Sequence, residues 1–281
     1  RRDHRVPDLP AMDIDRFWQL IDQARAAAGP QADQAVRDVD LLDGEDGAVD
    51  EERIQALIDA AWADFSRERA ASEATDLADD AELVDEDAEE DEEDDLTDPV
   101  AIALFDLLVQ LPAAEIADFD NTFEDIRAQA DTPEMIVAAT LIEHGFLGDA
   151  SFDDFRAGLV ALGRATFEAA VANPDSLADH PAVKEIAAAP DPRWLGREDV
   201  LFVASYAYAE VTGEDPVRFF DFAESLREAP PVGPTDDARA LAWDVFDEAQ
   251  TRARLPRLSE LFYERSTRNR RRALERLGTT P

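Results

Sequence analysis

Residues 151–171 read SFDDFRAGLVALGRATFEAAV, and their periodicity decides the fold class. Phe155, Leu159, Leu162, Phe167 and Val171 return to one side of a helix at spacings of three to five. Ser151 with Asp154 three residues later forms a capping-box pattern, with Asp in place of Glu, so the sequence predicts one long helix opening at Ser151. Asn173-Pro174 ends it, because the residue before a proline is pushed out of the helical region.

The same signature repeats on both sides. Ile102, Leu104, Phe105, Leu108 and Leu111 predict a short apolar helix after Pro99, and Pro112 starts another with the stripe Ile116, Phe119, Phe123 and Ile126. Thr132-Pro133 is an N-cap followed by proline at the first helical position, and Gly145 stops that helix. Downstream, helices are predicted over 183–188, over 200–211 with Gly213 as the stop, and from Asp215-Pro216 through Phe219, Phe220, Phe222 and Leu226. Thr235 is the expected N-cap of a helix carrying Leu241, Trp243 and Phe246, and Pro256 starts the last one with Leu258, Leu261 and Phe262. At the other end Asp13 opens a helix with Ile14, Phe17, Trp18, Ile21 and Ala24 on one face, closed by Gly29-Pro30. No strand alternation and no internal repeat is found. The expected fold is all-α, a single irregular multi-helix domain with a disordered acidic insertion.

Domain organisation follows from composition. Residues 1–11 form a flexible leader, and 12–29 with 99–262 make the helical domain. Residues 30–98 are an insertion with one amphipathic helix at about 51–71, whose stripe is Ile54, Leu57, Ile58, Ala61, Trp62 and Phe65. From Asp76 to Asp95, fourteen of twenty residues are Asp or Glu, so the tract over 76–98 is expected to stay disordered for want of apolar area to bury. Residues 263–281 form a basic helical tail. Phe17 and Trp18 are expected to pack on helices beyond residue 99, since a lone helix of this length is marginal in water.

Charge bounds the function. Sixty-six acids against 27 bases, of which Lys184 is the one lysine, give a net −39, which repels phosphate and disfavours nucleic acid and anionic membranes as partners. Salt adaptation and a GC-rich genome both produce such a surface without any functional cause. There is no cysteine, which removes thiolate metal sites, disulfides and a cysteine nucleophile. The basic start Arg1-Arg2-Asp3-His4-Arg5 leads into Pro7 and Pro10 rather than an apolar signal region, and no apolar run has the roughly 18 residues of a membrane helix. A cytoplasmic location is therefore expected.

No motif for metal, cofactor or phosphate binding occurs. His4, His144 and His180 are too few and too far apart for a zinc site, and His144 before Gly145 is read as a cation favoured at a helix C-terminus. The catalytic candidates are Asp149, Asp153, Asp154 and Arg156, four groups at a turn-to-helix junction able to hold a hard cation or to orient an acid; ordinary helix capping explains the same residues. Arg164 and Asp175-Ser176 are a second pairing across the long helix, with turn capping as the plain alternative. From Arg252 to Arg276 nine arginines face three glutamates, and Arg268, Arg270, Arg271 and Arg272 are the interaction candidates. The expected target of this tail is acid, on a protein partner or in a self-contact with the acidic tract. Three functions stay open: a non-enzymatic interaction or regulatory protein, an enzyme or metal binder using the 149–156 turn, and a nucleic-acid mimic acting through the acidic tract.

Several local patterns occur together: Phe17-Trp18-Gln19-Leu20-Ile21, Phe155-Arg156 with Leu159-Val160 and Gly163-Arg164, Pro174-Asp175-Ser176-Leu177-Ala178, and Leu255-Pro256-Arg257-Leu258. In this the chain resembles the bacterial domain-of-unknown-function family forty-two forty, over roughly residues 12–262 without the insertion. The resemblance implies a fold and no reaction. The chain departs from the family pattern at Asp149-Ala150, where two adjacent acids are usual, at Gly158, where a tryptophan is usual, and in the length of its insertion.

Overall fold

The computed structural model describes residues 12–37, 96–145, 147–190, 192–227 and 243–276. The leader, the 51–71 helix, the acidic run up to residue 95 and the Thr235 cap lie outside the described residues.

The described chain is all-α apart from one two-residue strand pair. Asp13 caps α1 (Ile14–Ala28) by accepting from the Asp15 amide. The next helices are α2 (Pro99–Leu108), α3 (Ala113–Ala128), α4 (Pro133–Ile142), α5 (Asp149–Ala161) and α6 (Arg164–Ala172). A 3-10 turn over Pro174–Asp179 leads to α7 (Pro181–Ala188), and then come α8 (Glu198–Thr212), α9 (Arg218–Leu226), α10 (Glu248–Arg254) and α11 (Pro256–Arg276). The strands β1 (Val36–Arg37) and β2 (Arg193–Trp194) pair antiparallel and join two distant stretches of chain.

One core runs through these helices. α1 lies on α2, α2 on α8, and α8 also meets α3 and α5. Phe17 is fully buried and stacks on Phe119 with ring centroids 4.9 Å apart, while the Trp18 ring sits 5.6 Å from Phe167. The first helix is thus part of the core despite the long excursion that follows it. Thr132 caps α4 by accepting from the Met135 amide, and Gly213 stops α8 in the left-handed region.

Four local expectations are corrected. The long helix over 151–171 is two helices, because Gly163 adopts φ +88°, a conformation that side chains resist. The reason is tertiary: Arg25 of α1 donates to the Ala161 carbonyl, and a Cβ at 163 would lie 3.0 Å from the Arg25 Nε. α5 also begins at Asp149 with Gly148 as N-cap, so Ser151 and Asp154 lie inside the helix and form no capping box. Trp243 and Phe246 precede α10 rather than ride on a helix: Asp244 accepts from the Phe246 amide, and Asp247 caps α10 by accepting from the Gln250 amide. Thr251 then ties the turn down, accepting from Trp243 Nε1 and donating to the Val245 carbonyl, each at 2.8 Å. Lastly, His144 is not a cation at a helix end. It is buried under Trp194, and burial pushes its pKa down to about 3, so the neutral ring donates from Nε2 to the Arg193 carbonyl.

The boundary drawn at residue 262 falls inside α11. Beyond it Tyr263 donates to the Phe246 carbonyl, Ser266 to the Leu141 carbonyl, and Asn269 to the His144 carbonyl.

Candidate functional site

The 149–156 junction is an ion-pair cluster. Arg156 is buried, its guanidinium 4.7 Å above the Phe152 ring, and it pairs with Asp153 and, at 3.5 Å, with Asp131. Arg127 of α3 approaches Asp153 from the other side at 3.0 Å and pairs with Glu124. Asp153 therefore sits between two guanidinium groups. Asp149 is the first residue of α5, and the structure does not describe its side chain.

Asp154 faces the other way, toward the 195–196 segment. A Cβ at Gly196 would lie 3.1 Å from the Asp154 Cβ, and one at Gly158 would overlap the Leu195 carbonyl oxygen. The small residue at 158 lets this backbone lie directly on α5, where the Arg197 amide donates to the Asp154 carbonyl at 3.0 Å. Glu143 completes the junction; it is buried and accepts from the Leu195 and Gly196 amides at 3.0 and 3.2 Å. Burial pushes the Glu143 pKa up to about 8, with Asp154 adding to the rise and the two amides opposing it. Burial also lifts Asp154 to about 7, helped by Glu198 and Asp153 and opposed by Arg127. Asp120 on α3 reaches about 7 by burial and the nearby Glu124, against Arg127 and Arg227. Carboxyl pKa values raised to near neutrality are found at sites of proton transfer as well as at plainly buried acids. Among the described residues, however, no group of three or more His, Asp or Glu side chains is arranged to hold a metal ion.

Sequence reasoning did not find Glu143, Glu198 or Asp120. Glu143 stands next to His144 at the end of α4, and its one signal was an acid directly after an apolar run. Arg164 and Asp175 do not meet. Arg164 pairs with Asp15 and Glu168 at 2.7 Å each, whereas Asp175 caps α11 by accepting from the Arg257 and Leu258 amides at 3.0 and 2.9 Å. His180 accepts from the Ala182 amide at 3.3 Å at the start of α7.

A second charged group clamps the ends of the insertion. Arg197, 3 % exposed, pairs with Asp98 at 2.6 Å and donates to the Ala32 and Gln34 carbonyls at 3.2 and 3.0 Å. Asp98 in turn caps α2, accepting from the Val100 and Ala101 amides. Asp199 accepts from the Thr97 and Asp98 amides at 2.7 and 2.6 Å. The segment from 30 to 98 thus leaves and returns at one place, and its first residues, up to 37, and last, from 96, are built into the body.

Beside the clamp the surface opens. A depression of about 820 Å³ between α2 and α8 is lined by Leu96, Ile102, Phe105, Tyr206 and Ala209, with Glu210, Gly213 and Glu214. A smaller one of about 370 Å³ shares Ile102 and is lined by Ala27, Ala28, Gln31, Pro99, Ala103 and Asp106. Ile102 is 43 % exposed, unusual for an isoleucine in the middle of a helix this apolar. Neither depression is lined by Glu143, Asp153, Asp154 or Glu198. Of the four arginines proposed for interaction, Arg268 and Arg271 are exposed on α11, and Arg270 and Arg272 lie on the same helix. No helix of the described residues is long and apolar enough to cross a membrane.

The fold and these sites define an all-α domain with a charged cluster and an apolar surface depression. Residues 82–210 match the model of the family described as protein of unknown function (DUF4240), the family that the residue patterns resemble. The matched stretch is somewhat under half of the chain and ends within α8, leaving α1 and α11 outside it. Comparison with curated proteins and with solved structures gives no match.

Proposed function

We propose that the chain is a cytoplasmic, non-enzymatic interaction or regulatory protein whose docking surface is the apolar depression between α2 and α8. The observation that carries this reading is the outward-facing Ile102, set with Phe105, Leu96 and Tyr206 where the insertion joins the body. Contiguous exposed apolar surface costs solubility, and in a chain of net −39 its retention fits a surface that is covered in use. The arginines at the end of α11 add a second, charged contact that favours a carboxylate-bearing partner over nucleic acid. Affinity capture tests the proposal with the intact chain, with Ile102→Glu, and with residues 76–95 removed. A partner held by the intact chain and lost from Ile102→Glu supports it; an identical set of captured proteins from all three overturns it.

One observation favours an enzyme instead: the raised pKa values of Glu143 and Asp154, since such shifts gather at sites of proton transfer. Against it, Arg156 and Arg127 are engaged with Asp153, Asp131 and Glu124, an arrangement that a structural ion-pair network explains. Thermal stabilisation by divalent metal near neutral pH, abolished by Asp149→Ala and Asp153→Ala, would decide for the enzyme.

A further inference from the structure

We infer that the depression between α2 and α8 receives a basic amphipathic helix of a partner protein, its apolar side chains on Ile102 and Phe105 and its arginines or lysines on the acids at the flanks. The inference rests on the interaction reading above and names the chemistry of the partner. The arginines of α11 are a separate contact and take no part in it.

The walls of the surface are helices. Their lining residues recur at helical spacing, Ile102, Phe105 and Asp106 on α2, and Tyr206, Ala209, Glu210 and Gly213 along α8 and just past its end. Side chains in such rows form ridges, and the ridges of a third helix fit the grooves between them. Leu96, Ile102, Phe105, Tyr206 and Ala209 supply the apolar contact against which an amphipathic helix lays its apolar face.

Charge decides the occupant. The two depressions share Ile102; Asp106 lines one, and Glu210 with Glu214 lines the other, so exposed acids stand on either side of the exposed isoleucine. Neither depression is lined by an arginine or a lysine, and among the described residues these three acids form no ion pair. Other surface carboxylates hold arginines, as Glu115 does Arg16, Glu168 does Arg164 and Glu134 does Arg254. The end of α8 adds to the imbalance. Its last turn has no cation and carries Glu210, where the negative end of a helix favours positive charge. A partner's arginine or lysine placed there meets the helix end and two carboxylates together. The same acids count against the alternatives. Two copies of this surface laid face to face would set carboxylate against carboxylate, and a nucleic acid would set phosphate against them.

The probe is a fluorescently labelled synthetic helix with leucines at helical spacing and arginines flanking that stripe, titrated against the full chain at physiological salt. A twin peptide carries glutamine in place of every arginine. The arginine helix is expected to bind about tenfold tighter than its twin. Glu210→Gln with Glu214→Gln should remove that advantage, whereas Asp221→Asn with Glu224→Gln, an equal loss of exposed charge on α9, should leave it. Ile102→Glu should weaken both peptides although it adds negative charge, a result that unspecific attraction to a chain of −39 does not give. Ile102→Ala is read in its place should Ile102→Glu melt early. A twin that binds as tightly, an advantage removed equally by the α9 pair, no binding of either peptide, or a dimer of the chain that Ile102→Glu disperses each overturns the inference. The two readings fail differently. Peptides that bind alike and are both lost from Ile102→Glu remove the basic partner and keep the docking surface. Binding indifferent to Ile102→Glu removes the docking surface itself.

Discussion

Two buried acids flank the same short segment, residues 195–199, and they are satisfied in opposite ways. On one side Asp98 meets the guanidinium of Arg197 and two helix-capping amides. On the other, Glu143 meets the Leu195 and Gly196 amides and has Asp154 as its charged neighbour, so burial raises its pKa to about 8. A buried carboxyl given a cation is a fixed strut. A buried carboxyl given only amide dipoles and another acid holds its proton, and its contribution to stability then depends on pH.

The largest effect is expected at the strut. Arg197→Met leaves Asp98 buried without its cation and releases the carbonyls of Ala32 and Gln34, so it should cost about 3–5 kcal/mol in denaturant unfolding. A loss below about 1 kcal/mol, the range of surface substitutions, would mean that the ends of the excursion are held by something else. Next comes the seat of the 195–196 backbone. Gly158→Ala places a methyl on the Leu195 carbonyl and should cost about 1–3 kcal/mol in denaturant unfolding.

Smaller, and specific to the proton-holding side, is the response to pH. The Glu143 pKa is raised in the folded chain, so its contribution is fully present below the unfolded value of about 4.3 and is lost as pH climbs through about 8. Asp154 acts in the same direction, its share lost as pH passes about 7. His144 works the other way, because a lowered pKa withdraws stability as pH falls below the unfolded value of about 6.5. The melting temperature should therefore decline as pH rises from about 4.3 to about 8, and Glu143→Gln, which keeps an acceptor for the two amides, should flatten that decline, most cleanly between about 7 and 8 where Asp154 and His144 no longer change. An unchanged slope would show that Glu143 is ionised throughout.

The smallest effect should come from removing residues 76–95, which stops short of the clamp and is expected to shift stability by no more than about 0.5 kcal/mol. Extending the deletion through residue 98 removes the Asp98 cap and ion pair and should restore a loss of the Arg197→Met size. Equal behaviour of the two deletions would refute the division between tract and clamp.

Most helix positions were legible because they rest on local chemistry. Asp13 and Thr132 as caps, and Gly213 as a stop, need only their neighbours in sequence. The errors share one cause. Residues 151–171 have helical periodicity throughout, and nothing local reveals that Arg25, some 140 positions away, turns Gly163 into a break. Trp243 and Phe246 fit a helix until Thr251 and Asp244 are seen to fasten them in a turn. At the candidate site Asp153 and Arg156 were visible as a charged pair, whereas Glu143 gave no motif, because the partners that bury it come from residues 195 and 196.

The sequence by itself determined the all-α class, the acidity, the absence of thiol chemistry and the resemblance that the family match bears out. These follow from composition, from periodicity and from side chains bonding to backbone a few residues away. Only the tertiary structure decided which acid receives a cation and which keeps a proton, where the excursion is anchored, and that Ile102 faces outward beside it. The reason is physical. Burial and long-range pairing set the energy of a charge or an exposed apolar side chain, and both are properties of what the fold brings alongside it.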